Sequence, residues 1–128
     1  MIDHTGVIVS DFGKSRSFYT AALGALGYEL LLEFSAAVTG TTHVAGFGIP
    51  PATDFWISLG TPNVPSVHVA FRANRRAAVD AFYKAALAAG GCDNGAPGLR
   101  PHYHEDYYGA FVLDPDGHNI EAVCHTPV

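Results

Sequence analysis

Glu121 is the residue most in need of a chemical reason. It stands in the run Asn119-Ile-Glu-Ala-Val-Cys-His125, between apolar Ile120 and Ala122. A carboxylate there must face solvent, find a partner or bind a metal, because an unpaired buried charge is costly. The chain holds seven histidines, and two of them, His4 and His68, lie on strand-like runs 64 residues apart. Two neutral imidazoles and one carboxylate from three strands can cap one face of a divalent metal and leave three positions open for substrate or water. Iron, zinc, nickel, manganese and cobalt all accept such ligands. The plain alternative is that both histidines are ordinary strand residues and Glu121 is exposed at a sheet edge.

Other residues could do chemistry beside these three. His102, Tyr103, His104, Tyr107 and Tyr108 form a polar-aromatic cluster ahead of the last strands. Tyr103, Tyr107, His102 and His104 are candidate general acids or bases, and Tyr103 and Tyr107 are also candidates for substrate contact. A tyrosine-rich strand edge is equally common in β proteins. Arg72 shares a strand face with His68, where it either grips an anionic substrate group bidentately or serves as an ion-pair or surface residue. Trp56, with Phe34 or Phe47, either supplies an apolar wall for a substrate or packs in the core. His125 shares the strand face of Glu121, close to a metal or in solvent. His118 reads as a turn residue and Cys124 as packing.

These residues need elements to carry them. The alternation of residues 2–9 predicts a strand with Ile2, His4, Gly6 and Ile8 on one face. Ser10 or Asp11 can cap a helix in which Phe18, Ala22, Leu23 and Leu26 recur at helical spacing, with Gly27 as its stop. Strands are expected over 28–34, 43–49 and 55–59, with a loop over 35–42. After a Pro-rich connector the pattern restarts. A strand over 66–72 places His68, Ala70 and Arg72 on one face. Asn74 is the expected N-cap of a helix whose stripe is Val79, Phe82, Tyr83, Ala86 and Leu87. The Gly-rich stretch 92–98 reads as loop, 99–105 as a strand, and 107–113 and 119–125 as a pair joined by Asp114-Pro115-Asp116-Gly117. Proline presets φ and glycine accepts φ > 0, so this is a turn with a mechanism. The order strand, helix, three strands occurs twice, an internal repeat of about sixty residues. One α+β domain over 1–128 follows, with module one over about 1–60, a connector at 61–65 and module two over about 66–128.

Composition narrows the functions. At 128 residues the chain suits one domain, and it is 48% hydrophobic with a net charge of −5. Its only adjacent basic pair is Arg75-Arg76, so it lacks the footprint of a nucleic-acid binder or an anionic-membrane binder. No apolar run approaches the roughly 20 residues of a membrane span, and the N-terminus lacks the pattern of a signal peptide. Cys92 and Cys124 form no CxxC pair or disulfide framework, which suits a reducing cytoplasm.

The chain resembles the vicinal oxygen chelate superfamily, which includes glyoxalase I, bleomycin-resistance, fosfomycin-resistance and extradiol dioxygenase proteins. The resemblance rests on the βαβββ repeat, a histidine on each module's first strand, Phe18-Tyr19 on the first helix, and the closing Asp114-Pro-Asp-Gly-His-Asn-Ile-Glu-Ala-Val123. It implies two modules forming an open, barrel-like sheet around a cleft, in a homodimeric protein. It places His4, His68 and Glu121 at metal-ligand positions. The fourth position, a glutamate in glyoxalase I, falls near Trp56. The metal would chelate vicinal oxygens of a small-molecule substrate and act as a Lewis acid. The glyoxalase-type lyase or isomerase would need a carboxylate base where Trp56 stands. The dioxygenase inventory of two histidines and a glutamate is present, though that form usually has four modules. A fosfomycin-type transferase would have only Arg72 and Arg100 for its phosphonate pocket. The non-catalytic alternative is a bleomycin-resistance type protein that sequesters a ligand in the dimer cleft without metal.

Overall fold

A computed structural model of the chain describes residues 1–128. Module one comprises β1 (Thr5–Val9), α1 (Phe12–Gly24), β2 (Glu29–Phe34), the single turn α2 (Ala36–Thr39), β3 (Val44–Gly48) and β4 (Phe55–Leu59). Module two comprises β5 (His68–Arg72), α3 (Arg76–Ala88), β6 (Cys92–Leu99), β7 (Tyr108–Leu113) and β8 (Asn119–Cys124). Each module makes a mixed four-stranded sheet, in the orders β1-β4-β3-β2 and β5-β8-β7-β6. The fold is α+β with two sheets and no closed barrel.

The alternation seen in the sequence decides which face each sheet turns to the core. Val7 and Val9 are buried while Gly6 and Ile8 face the other way. Asp11 caps α1 by accepting the Lys14 N–H at 3.1 Å, and its buried face is Phe18, Tyr19, Ala22 and Leu23. The buried face of α3 is Val79, Phe82 and Ala86. These side chains join Phe47, Phe55, Phe71, Val112 and Ile120 in one cluster of 20 buried residues. Both modules therefore share a single core, each large apolar side chain contributing about 1.5–3 kcal/mol. Phe55 of β4 and Phe71 of β5 meet edge to face at 5.2 Å across the module boundary.

Several boundaries differ from the expectation. Residues 2–4 lie ahead of β1, so His4 precedes the strand instead of sitting within it. The 35–42 loop contains α2. Arg75, not Asn74, is the N-cap of α3, and no side chain caps it. The largest change is at β6. The stretch 92–98 is a strand and most of 99–105 is turn. β6 is an outer strand with register shifts around Gly95, a place where glycine and Pro97 are tolerated because an edge need not pair every group.

The β7–β8 turn does more than reverse the chain. Asp114 Oδ1 accepts the N–H groups of Asp116 and His118 at 2.9 and 2.8 Å. Its Oδ2 accepts the Tyr19 hydroxyl of α1 at 2.5 Å. Burial, and then the Asp114 charge, push the Tyr19 pKa well up. Asp116 accepts both the backbone N–H and the hydroxyl of Ser10 at 3.1 and 2.5 Å. His118 is fully buried. Its Nδ1 accepts the Val67 N–H at 3.0 Å, which leaves Nε2–H to donate to the Ile8 carbonyl at 3.0 Å. The reading of His118 as a mere turn residue is corrected: it is a fixed-tautomer clasp between the two modules.

Candidate functional site

Glu121 lies on the face of its sheet away from the helices. The parallel register of β5 and β8 sets Ala70 beside it, and the antiparallel register of β7 and β8 sets Phe111 on its other side. Only 1% of Glu121 is exposed, so it is neither an edge residue nor a solvated one. His68 Nε2 approaches its Oε1 at 2.9 Å, and the Tyr107 hydroxyl donates to its Oε2. Both carboxylate oxygens are thus engaged, as a buried carboxylate requires. Burial, followed by the Glu121 hydrogen bond and charge, pushes the Tyr107 pKa up, so the phenol keeps its proton and remains a donor. The His68 ring lies against Phe111 at 6.3 Å.

The tyrosine-histidine cluster gathers behind Tyr107. Its ring meets Tyr103 at 4.8 Å, His104 at 5.4 Å and His125 at 5.4 Å. His104 Nδ1 accepts the Asp106 N–H at 3.1 Å, so His104 Nε2–H is the atom that faces His125 Nδ1 at 2.7 Å. His102 packs only on the outer Tyr103, at 4.2 Å. Of the four acid-base candidates, Tyr107 alone touches Glu121. Tyr108 points elsewhere, donating to Asp80 of α3 at 2.6 Å.

The remaining candidates separate into two places. Arg72 is exposed on the face of β5 that carries His68, and both line a cavity of about 430 Å³ with Asp3, Tyr28 and Asp54. Arg100 lies over Phe111 at 5.5 Å and donates to the carbonyls of Gly98 and Ala96 at 2.8 Å each. His4 lines a different groove of about 510 Å³ with Phe34, Val44, Trp56 and Ser58. Its Nδ1 faces Asp3 Oδ1 at 2.7 Å. Phe47 is wholly in the core, which leaves Phe34 as the phenylalanine of the groove. Cys124 is buried among core residues. Within one chain His68 and Glu121 meet and His4 does not join them; no three His, Cys, Asp or Glu side chains converge to hold a metal. The pair itself suits a cation, since one imidazole nitrogen and one buried carboxylate oxygen already face each other. Phe111 was not singled out from sequence, although a register counted from the Pro-Asp-Gly turn would have set it opposite Glu121.

A family model described as the Glyoxalase/Bleomycin resistance protein/Dioxygenase superfamily matches residues 1–122. The chain belongs to this superfamily. Among solved structures, a glyoxalase/bleomycin resistance protein from Albidiferax ferrireducens T118 is 30% identical with a TM-score of 0.77, covering 97% of this chain and 98% of that one. A point mutant of the fosfomycin resistance protein FosX of Listeria monocytogenes, complexed with Mn(II) and 1S,2S-dihydroxypropylphosphonic acid, is 19% identical with a TM-score of 0.70, covering 99% of this chain and 91% of that one. A glyoxalase I variant of Zea mays is 19% identical with a TM-score of 0.70, covering 95% of this chain and 43% of that one. Among curated proteins none matches significantly. The chain contains no helix long and apolar enough to cross a membrane.

Proposed function

We propose that this superfamily member is a metal-dependent, homodimeric enzyme whose divalent cation is held by His68 and Glu121 of one copy and His4 of a second. Its substrate is a small molecule with vicinal oxygens. The observation that carries this reading is the buried Glu121 on an open sheet face, partnered by His68 Nε2 and held from behind by Tyr107. When bound, the cation would act as a Lewis acid on the substrate oxygens. This chain's own groups would orient Glu121 through Tyr107 and, at the rim, exchange protons through His104 and His125. The mixed identity of acceptable metals spans Fe, Zn, Ni, Mn and Co. A glyoxalase I type proton transfer lacks its second carboxylate, because Trp56 occupies that row; a dioxygenase or another Lewis-acid reaction fits the ligand set better. Two unpaired cysteines, one exposed and one buried, suit the cytoplasm.

Calorimetric titration of metal-stripped protein tests the reading. Wild type takes up one cation per chain, and the His4→Ala, His68→Ala and Glu121→Ala variants each lose it while unfolding cooperatively. Mixing then reveals the sharing between copies. His4→Ala and Glu121→Ala homodimers bind no metal, but subunit exchange between them restores one intact site per mixed dimer. Retention of full uptake by either Glu121→Ala or His68→Ala would sink the ligand assignment. Folded wild-type protein that ignores metal would favour the ligand-sequestering alternative.

A further inference from the structure

The groove beside His4 is built unlike the rest of the sheet. Trp56 on β4 has glycine as its cross-strand neighbour on both sides, Gly6 on β1 and Gly46 on β3. The row across the sheet therefore reads Gly6, Trp56, Gly46, Leu32. Neither glycine is incidental. A Cβ on Gly46 would stand 2.9 Å from the indole Cη2 and Cζ3 atoms and 2.6 Å from Thr53 Cγ2. A Cβ on Gly6 would stand 2.7 Å from the Trp56 carbonyl oxygen. The indole thus meets bare backbone on the β3 side, and Gly6, two residues after His4, lets β1 approach the Trp56 backbone closely. Leu32 and Phe34 on β2 are 42% and 37% exposed and extend the same surface as an apolar margin. A protein has little reason to keep an indole against glycine at the mouth of a groove unless something packs on it.

Resting on the metal reading above, we infer that this groove selects substrates whose vicinal oxygens carry a planar aromatic substituent, packed on Trp56 in the groove beside His4. The chelating oxygens reach the cation through the His4 side of the groove, and the ring occupies the 510 Å³ space bounded by Trp56, Phe34 and Val44. No Lys or Arg lines this groove, so it offers no fixed partner to an anionic substituent. Gly46 is the specificity-setting residue: it decides whether the indole can lie down.

Trp56 is the only tryptophan of the chain, so its fluorescence reports on the groove without labelling. The experiment titrates the zinc-loaded full chain with benzoylformate and with pyruvate, two 2-oxo acids that present the same oxygens and differ in phenyl against methyl. Affinities come from calorimetry and the groove signal from tryptophan emission. Benzoylformate is expected to bind about tenfold tighter than pyruvate or better, as one stacked ring contributes, and to quench the emission where pyruvate does not. Trp56→Leu, which keeps an apolar filler, and Gly46→Ala, which lifts the indole, both bring the ratio close to one while zinc uptake stays unchanged. Equal binding of the two acids by wild type overturns the aromatic selectivity and leaves the metal reading standing. A phenyl preference that survives in both variants also overturns it. Absence of zinc uptake by wild type overturns the metal reading, and this inference falls with it.

Discussion

The open faces of the two modules share a plan and differ at one position. In module two the row across the sheet is Ala70, Glu121, Phe111, Gly95. In module one it is Gly6, Trp56, Gly46, Leu32. Ala70 stands two residues after His68, and Gly6 two after His4, so Trp56 is the structural counterpart of Glu121. Each row carries one aromatic ring on its inner strands. In module two the ring sits on β7 and leaves the β8 position to a carboxylate. In module one the ring has taken the carboxylate's position and the neighbouring strand has shrunk to glycine. The same scaffold thus yields a face with a buried carboxylate and an apolar face with a tryptophan between glycines by moving bulk one strand over.

Removing the carboxylate should have the largest effect. Glu121→Ala is expected to weaken metal binding by about a hundredfold or more, in keeping with the several kcal/mol that each ligand of a protein metal site supplies. Isothermal calorimetry of the metal-stripped variant measures this, and an affinity within a factor of three of wild type would show that the row comparison has no bearing on metal.

The two β–β turns offer a second contrast. The module-two turn bonds across the boundary, through Asp114 to Tyr19, Asp116 to Ser10 and His118 to Ile8. In the module-one turn Asp54 accepts the Tyr28 hydroxyl of its own module at 3.0 Å. His118→Ala strips two partly buried backbone groups of their partner and removes a fully buried ring, and is expected to cost about 2–4 kcal/mol of unfolding free energy. Asp54→Ala should cost less than about 1 kcal/mol, because its bond is exposed. Urea denaturation of both variants checks the ordering, and equal losses would mean that the modules are not clasped at this turn.

How much of this could be read from the residues follows from what each signal depends on. Helices α1 and α3 were legible because their apolar spacing is local and long. The pairing of His68 with Glu121 was legible because the repeat put both on strands of one module. β6 was missed because its Gly-rich, Pro-containing sequence carries no alternation; only its pairing with β7 makes it a strand. The clasp by His118 was hidden for a similar reason, since its partners are backbone groups of Val67 and Ile8, and backbone groups have no sequence signature. The separation of His4 from His68 and Glu121 depends on how two sheets sit in space, which no spacing along the chain encodes.

Rebuilding module one in the image of module two sharpens the comparison. Trp56→Glu places a second carboxylate at the Glu121-equivalent position, on a glycine floor that has room for it. Metal affinity is expected to rise about tenfold as a further oxygen ligand becomes available, and the phenyl preference of the groove should vanish. An unchanged affinity in a folded variant, read by the same calorimetry, would make the equivalence of the two rows topological only.

Tyr107 has no counterpart on the open face of module one. Tyr107→Phe keeps the ring and removes the hydroxyl that holds Glu121 Oε2. Metal affinity should fall about tenfold, the lower end of what outer-sphere partners contribute, and stability at neutral pH should fall by about 1–3 kcal/mol as a buried carboxylate oxygen loses its donor. The alkaline limb then separates this hydroxyl from a packing role. Burial and Glu121 raise the Tyr107 pKa in the folded chain, so the folded state keeps a proton that the unfolded state gives up from about pH 10 upward. The stabilisation is complete below pH 10 and is lost as pH rises through the folded-state pKa, at up to about 1.4 kcal/mol per pH unit for one group. The wild type should therefore lose stability above pH 10 more steeply than Tyr107→Phe, while a Tyr103→Phe control, whose ring only packs on Tyr107, follows the wild-type curve. Parallel curves for wild type and Tyr107→Phe would mean that the hydroxyl is not bonded to Glu121 in solution.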